Sequence, residues 1–354
     1  MDLLVQALGN NGKRALRLAN GPRLDAGYFG PDSVSWRVWG HPVISIAGIR
    51  GSIVAVFDPK GAAGVEQHST YAADPLGRVR RSNMFFTQAV FGDAASAEKI
   101  GKWLFNRHAA VNGVVPDTGE KYVANVPETL LFVYVTGWHG LLECYQRFCA
   151  PGDELTDSEV RRFYQESLIT ADLLGIPPDY VPATPEDVNE YLDTQAKKII
   201  RPTADMAKLV DFFLRPPLSP AWPLLAVNPF LRMATYAALS TLSDEWLELV
   251  GVRRHPRRWA LNDMVVRTAL NAAHRNQLID DFLPIAGAEA WGYRHNAKRH
   301  PSLAEPVPYQ FEMGTKAAAR PRWDARRPVG RGRTRRAMTS FGCPRRRGRR
   351  VGNR

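Results

Sequence analysis

Through most of the chain apolar residues recur every three to four positions, and the strict alternation of a half-buried strand is rare. In SAEKIGKWLFNRHAAVN, residues 96–112, Ile100, Leu104, His108 and Val111 fall within one sector of a helical wheel. The same period predicts helices over 60–73, 77–91, 128–149, 157–174, 184–200, 203–214, 229–250 and 258–281. Punctuation agrees. Asp157 is placed to cap the helix that ends at Gly175 before a Pro-Pro pair, and Thr184 stands three residues ahead of an acid, a capping box. The run VISIAGIRGSIVAVF, 43–57, fits either a short strand pair or an apolar helix. Prolines at 216–223 mark a bend between helical blocks. The expectation is a short lead-in over 1–20, one all-α domain over 21–314 and a tail over 315–354 of different character.

Charge separates the tail from the body. The 354 residues carry 47 Lys and Arg against 35 Asp and Glu, a net +12. Residues 316–354 hold 14 Arg and Lys316 against the single acid Asp324, which leaves 32 basic and 34 acidic side chains for the rest. The body is near neutral, so a basic pI argues for nucleic acid only through the tail. Residues 315–354 contain no Leu and no Ile, cannot bury enough surface to order themselves, and offer few rings for stacking bases. An arm with nonspecific affinity for nucleic acid and an incidental extension are both readings of it; no specific nucleic-acid partner is expected.

Cys144, Cys149 and Cys343 form neither a disulfide framework nor a zinc spacing, which favours a reducing compartment. The start lacks the pattern of a signal peptide. Residues 43–57 carry Arg50, and 129–142 is interrupted by His139 and closed by Glu143, so neither makes the roughly 20 clean residues of a membrane span. A cytoplasmic protein is expected, with peripheral membrane association open to it; the oligomeric state is not readable.

Dinucleotide, Walker, nucleophile-elbow and HExxH motifs are missing, which turns attention to histidines and arginines. His108 shares an apolar sector, as either a core histidine bonded to a carbonyl or an axial ligand to a buried metal or haem. His68 and Glu66 lie among small residues, two positions apart and so on different faces. In DPLGRVRRSNMFF, 74–86, helical spacing puts Arg78, Arg81, Ser82 and Phe85 on one face and Arg80 elsewhere. Such a face suits a carboxylate ligand, which a guanidinium fork grips by two oxygens, or ion pairs with Asp74 or Asp93.

GPDSVSWRVWGHP (30–42), AAGVEQHSTYAADPLGRVRRS (62–82), RHAAVNG (107–113) and FYQESLITADLLGIPPDYVP (163–182), in that order, resemble the MpaB-type oxygenases, which share a catalytic domain with the latex-clearing rubber oxygenases. The resemblance covers roughly 20–215, more weakly to about 300. It implies an all-α fold with a globin-like core around haem b, dioxygen as co-substrate, and oxidative cleavage of C=C bonds, or a related oxygenation, in a small apolar substrate such as an isoprenoid. It makes His108 the haem ligand and sole metal ligand. Arg78, Arg81 and Ser82 become the basic-x-x-basic-Ser element beside the distal face. Arg81 would then stabilise negative charge on bound oxygen, and His68 or Glu66 would take an allylic proton. Phe105 and Asn112 stand where rubber oxygenases carry arginines, and Tyr134 near where many relatives have a histidine. The alternatives are a non-catalytic haem or lipid binder of the same fold, and a relative with an empty pocket.

Overall fold

The computed structural model describes residues 10–71, 75–215, 227–276, 289, 291–303 and 305–311. The helices are α1 (Asn10–Asn20), α2 (Val34–Trp39), α3 (Ile44–Ala55), α4 (Pro59–His68), α5 (Pro75–Phe91) and α6 (Ala94–Ala109). After a hairpin of β1 (Asn112–Val114) and β2 (Lys121–Val123) come α7 (Pro127–Phe148), α8 (Asp157–Leu174), α9 (Pro185–Glu190), α10 (Ala204–Leu214), α11 (Val227–Ser240), α12 (Asp244–Leu249) and α13 (Pro256–Arg275). The described chain is therefore mostly helical. None of its helices is long and apolar enough to cross a membrane.

The ambiguous run 43–57 is a helix, α3, laid along α7 in the most extensive helix pair of the fold. It is apolar on nearly every side because α7, α10 and α11 surround it, which explains why periodicity could not identify it. Around this pair Phe132, Phe148, Phe163, Ile46 and Ile53 are wholly buried, each worth about 1.5–3 kcal/mol of removal from water. Trp138 links them: its ring stacks on Phe163 at 4.9 Å and lies 5.4 Å from Trp39, which stacks on Phe86 at 4.5 Å.

Several expectations need correction at their ends. The helix over 96–112 stops at Ala109, because the chain turns at Ala110 and pairs as β1 with β2, Asn112 opposite Val123. The helix over 229–250 is two, because Ser243 caps a new start by accepting from Trp246 N. The cap of α8 is Thr156, not Asp157: its hydroxyl takes Glu159 N and Glu159 returns a bond to Thr156 N, a reciprocal box. At α9 Thr184 accepts from Asp187 N, and the helix continues as a π-turn, Tyr191–Ala196, into Lys197–Ile199. The bend at 216–223 and the tail lie wholly outside the described residues.

Both flanks of the bundle close on it. Arg23, buried, donates to Phe91 O and Ala26 O at 2.9 and 3.0 Å. Asp25 Oδ1 accepts from Ala94 N, helping to start α6. From the far end, Asn296 donates to Leu18 O and Gly21 O, Val307 N to Gly27 O, and Tyr309 Oη to the buried Asp172 at 2.6 Å. Trp291 packs with Ala15 and Ala19 of α1.

Candidate functional site

α5 and α6 form an antiparallel pair joined by Gly92 and Asp93. This brings the start of α5, with Arg78 and Arg81, to the same end of the pair as His108 at the close of α6. The end of α4, with Glu66 and His68, packs against β1, which follows α6 directly. Connectivity alone therefore gathers Glu66, His68, Arg78, Arg81, Ser82 and His108 at one end of the bundle.

The hydrogen bonds define what each can do. His68 Nε2 lies 2.9 Å from Asn112 O. A carbonyl only accepts, so Nε2 carries the proton and the Nδ1 lone pair is left as the basic position. Glu66 points elsewhere, as the two-residue spacing implies. One carboxylate oxygen accepts from Tyr71 Oη at 2.8 Å and the other from Lys208 Nζ. Those two bonds, Lys208 first, hold Glu66 below the usual carboxylate range, which makes it a poor proton acceptor. Arg78 donates to Ser69 Oγ at 2.6 Å and Arg81 to Thr70 Oγ1 at 3.3 Å, both in the turn after α4. Burial and then Arg81 lower the Arg78 pKa. Asp93, one of the acids considered for ion pairing, instead caps α6 through Ser96 N, and Asp74 lies outside the described residues. Ser82 is exposed.

His108 is half-buried and its pKa is pushed down to about 4 by desolvation, so the ring is neutral at pH 7. Its Nδ1 is buried and has no hydrogen-bond partner among the described residues. A core histidine would normally bond a carbonyl there. Among the described residues no group of three or more His, Cys, Asp or Glu is arranged to hold a metal ion.

The three departures are built into the packing. Phe105 is buried beneath the C-cap of α8, where Gly175 at φ +91° leaves room for it. A Cβ at 175 would lie 2.6 Å from the Phe105 ring, so an arginine at 105 would have to drive its charge into the core. Asn112 serves through its carbonyl, which His68 meets. Tyr134 donates to Ser167 O and lies 2.6 Å from Thr170 Oγ1, and burial raises its pKa well above the usual phenol value.

A second buried polar group lies deeper, on the α3–α7 seam. Arg50 is 4% exposed, donates Nε to Thr241 Oγ1 at 3.0 Å and Nη1 to Thr136 O at 3.1 Å, and these described bonds include no carboxylate. Gly140 faces it closely: a Cβ there would lie 2.0 Å from Arg50 Nη1. His139 Nδ1 meets Tyr164 Oη at 2.8 Å, and burial, then Arg50, push its pKa down to about 3. Burial lifts the Cys144 thiol to about 12, so it is inert. The partners of this cluster, like Tyr71 and Lys208 around Glu66, were not foreseen. The lone Arg50 in an apolar run was the available signal.

One cavity of about 10 Å³ is lined by Tyr134, Trp138, Tyr164 and Ser167 among others, room for at most one water. Another, about 250 Å³, lies where α1 and residues 21–23 meet the start of α6 and Tyr293. That is the end of α6 opposite His108.

A family model described as "ER-bound oxygenase mpaB/B'/Rubber oxygenase, catalytic domain" matches residues 36–275, more than half of the chain. No curated protein and no solved structure matches.

Proposed function

The chain belongs to the mpaB/rubber oxygenase catalytic-domain family, and from that premise we propose that it is a haem-dependent oxygenase acting on an apolar alkene of the isoprenoid class. The observation that carries the haem assignment is His108, a neutral imidazole with a buried nitrogen that has no partner among the described residues. Arg78 fits the same group as a cation for its carboxylates. In this reading His108 holds the haem, the helices around it are arranged in the family's globin-like manner, and the haem when bound supplies the redox chemistry of dioxygen.

The chain's own residues do the rest. His68, its Nε2–H spent on Asn112 O, accepts an allylic proton at Nδ1. Glu66 serves as an anchor, tying α4 to Lys208 of α10 and to Tyr71, and leaves the base role to His68. Arg81 faces negative charge as it develops on oxygen, while Arg78, tied to Ser69, holds the turn against α5.

The test is a visible spectrum of the full chain expressed with haem precursor, beside His108→Ala. The wild type shows a Soret band that the variant loses or shifts. Arg81→Ala keeps the band and lowers oxygen uptake with isoprenoid alkenes. A His108→Ala protein with an unchanged Soret band and full turnover overturns the assignment. Haem binding without oxygen uptake by any alkene offered favours a carrier.

A further inference from the structure

α13 carries two apolar faces. Trp259, Val266 and Leu270 point inward and are buried, against α11 and α7. On the opposite side of the helical wheel, Leu261, Met264 and Val265 are 59%, 52% and 42% exposed, a spacing of three and four that makes a continuous stripe. Thr268 and Ala272 extend it, both exposed. The sector begins with Arg257 and Arg258 and ends with Arg275, all exposed, and it contains no acid. The one acid of the helix, Asp263, lies to the side and is paired with Arg147 at 2.8 Å.

We propose that this outer face of α13 docks on an anionic lipid surface, Leu261, Met264 and Val265 entering the headgroup–acyl boundary while Arg257, Arg258 and Arg275 meet lipid phosphates. Charge selects this occupant. The body of the chain is near neutral, with 32 basic and 34 acidic side chains over 1–315, yet this sector is wholly cationic. A second copy docked antiparallel through the same stripe would set Arg257 and Arg258 against the partner's Arg275. The chain's own tail, with 14 Arg, would be repelled likewise. An amphipathic helix of 20 residues, about 30 Å long, with arginines at its ends and bulky apolar residues between them, is the geometry of in-plane lipid binding. The inference stands on exposure and charge and does not depend on the haem.

The test uses the full chain carrying Cys343→Ser, since Cys144 and Cys149 are buried. One environment-sensitive fluorophore is attached through Met264→Cys and, in a second protein, through Val123→Cys on β2. Each is mixed with vesicles of phosphatidylcholine alone or of phosphatidylcholine with phosphatidylglycerol. The 264 probe shifts to the blue on the anionic vesicles and is quenched by nitroxide lipids; the 123 probe is not. Arg257→Gln with Arg258→Gln weakens the partitioning that the 264 probe reports by about 25-fold, about fivefold per arginine. Leu261→Glu abolishes the blue shift. If the chain sediments with anionic vesicles while the 264 probe stays in water, the tail alone binds and the proposal fails. A 264 probe that is buried without vesicles as protein concentration rises, together with a dimer by sedimentation, makes the occupant a second copy and also overturns it.

Discussion

Replacing Gly101 by alanine isolates what holds α6, and with it His108, in place. Gly101 is buried against α8, where a Cβ would lie 2.5 Å from Leu173 O, 3.2 Å from Leu173 C and 3.3 Å from Leu173 Cβ. The obstacle is backbone, which cannot swing aside. Carbon–oxygen contacts settle at about 3.3–3.6 Å, so the two helices must separate by about 1 Å. Overpacking of this kind costs about 1–3 kcal/mol, offset by up to about 1 kcal/mol from alanine's better helix propensity. Gly137→Ala supplies the control. Gly137 sits within α7 with nothing inside 4 Å of its would-be Cβ, so it gains the propensity term alone. The quantity to measure is the gap between the two variants, in which propensity cancels. We expect Gly101→Ala to melt below Gly137→Ala by about 1–2 °C per kcal/mol of overpacking in a far-UV thermal scan. His108 lies two helical turns beyond Gly101, about 10 Å, on the same rigid element, so under the proposed haem assignment Gly101→Ala also weakens haem loading whereas Gly137→Ala leaves it intact. A Gly101→Ala protein that melts with or above Gly137→Ala refutes the close approach of α6 and α8.

The Arg50 cluster gives a second test. Arg50→Met leaves Thr136 O and Thr241 without their donor but removes a buried charge, so the single variant loses little, whereas Gly140→Ala alone displaces the guanidinium and costs about 1–3 kcal/mol. Chemical denaturation of both and of the double variant reads the coupling, and simple additivity contradicts the contact. Acid tests the buried histidines. Folding holds His41 near 4, chiefly by desolvation and then by His274, and His139 near 3, against an ordinary value of 6.5. The unfolded chain therefore binds protons that the native state refuses, and the stability they contribute is full above about pH 6.5 and lost as the pH falls toward 4. The unfolding free energy from urea denaturation drops from pH 7 to pH 5 by on the order of 1–2 kcal/mol per histidine, and a rise over that interval contradicts their burial. Thr156→Ala removes the hydroxyl half of the α8 cap and lowers stability by about 1 kcal/mol; Thr156→Ser restores most of it in the same assay.

The long amphipathic helices were legible because one face of each is buried, which is what periodicity encodes. The helix bearing His108 is the best case: Ile100 is buried and Leu104 half-buried, and His108 follows in line. α3 was not legible, since a helix enclosed by three others shows no polar face. The hairpin was missed because each strand has only three residues, too short for alternation to register. For the site, residue types and spacing identified His108, His68, Glu66, Arg78 and Arg81 as candidates. What they bond could not be read, because the partners come from elsewhere: Lys208 lies 142 residues from Glu66, and Thr241 lies 191 from Arg50. The proposed division of labour between His68 and Glu66 rests on their own partners, Asn112 O for the first and Lys208 and Tyr71 for the second.

The clasp formed by the two flanks separates what the chain shares with its family from what folds as a unit. The shared span runs from 36 to 275. Asp25, Tyr28 and Tyr309 lie outside it, yet they complete the start of α6, the Glu98 carboxylate at 2.8 Å and the buried Asp172. A fragment cut at the family borders would remove the Tyr309 bond from the buried Asp172 and unpin the first turn of α6. Such a fragment should be recovered with its helices but without cooperative unfolding. The border inherited from ancestry and the border imposed by thermodynamics are thus different lines, and the second encloses the first.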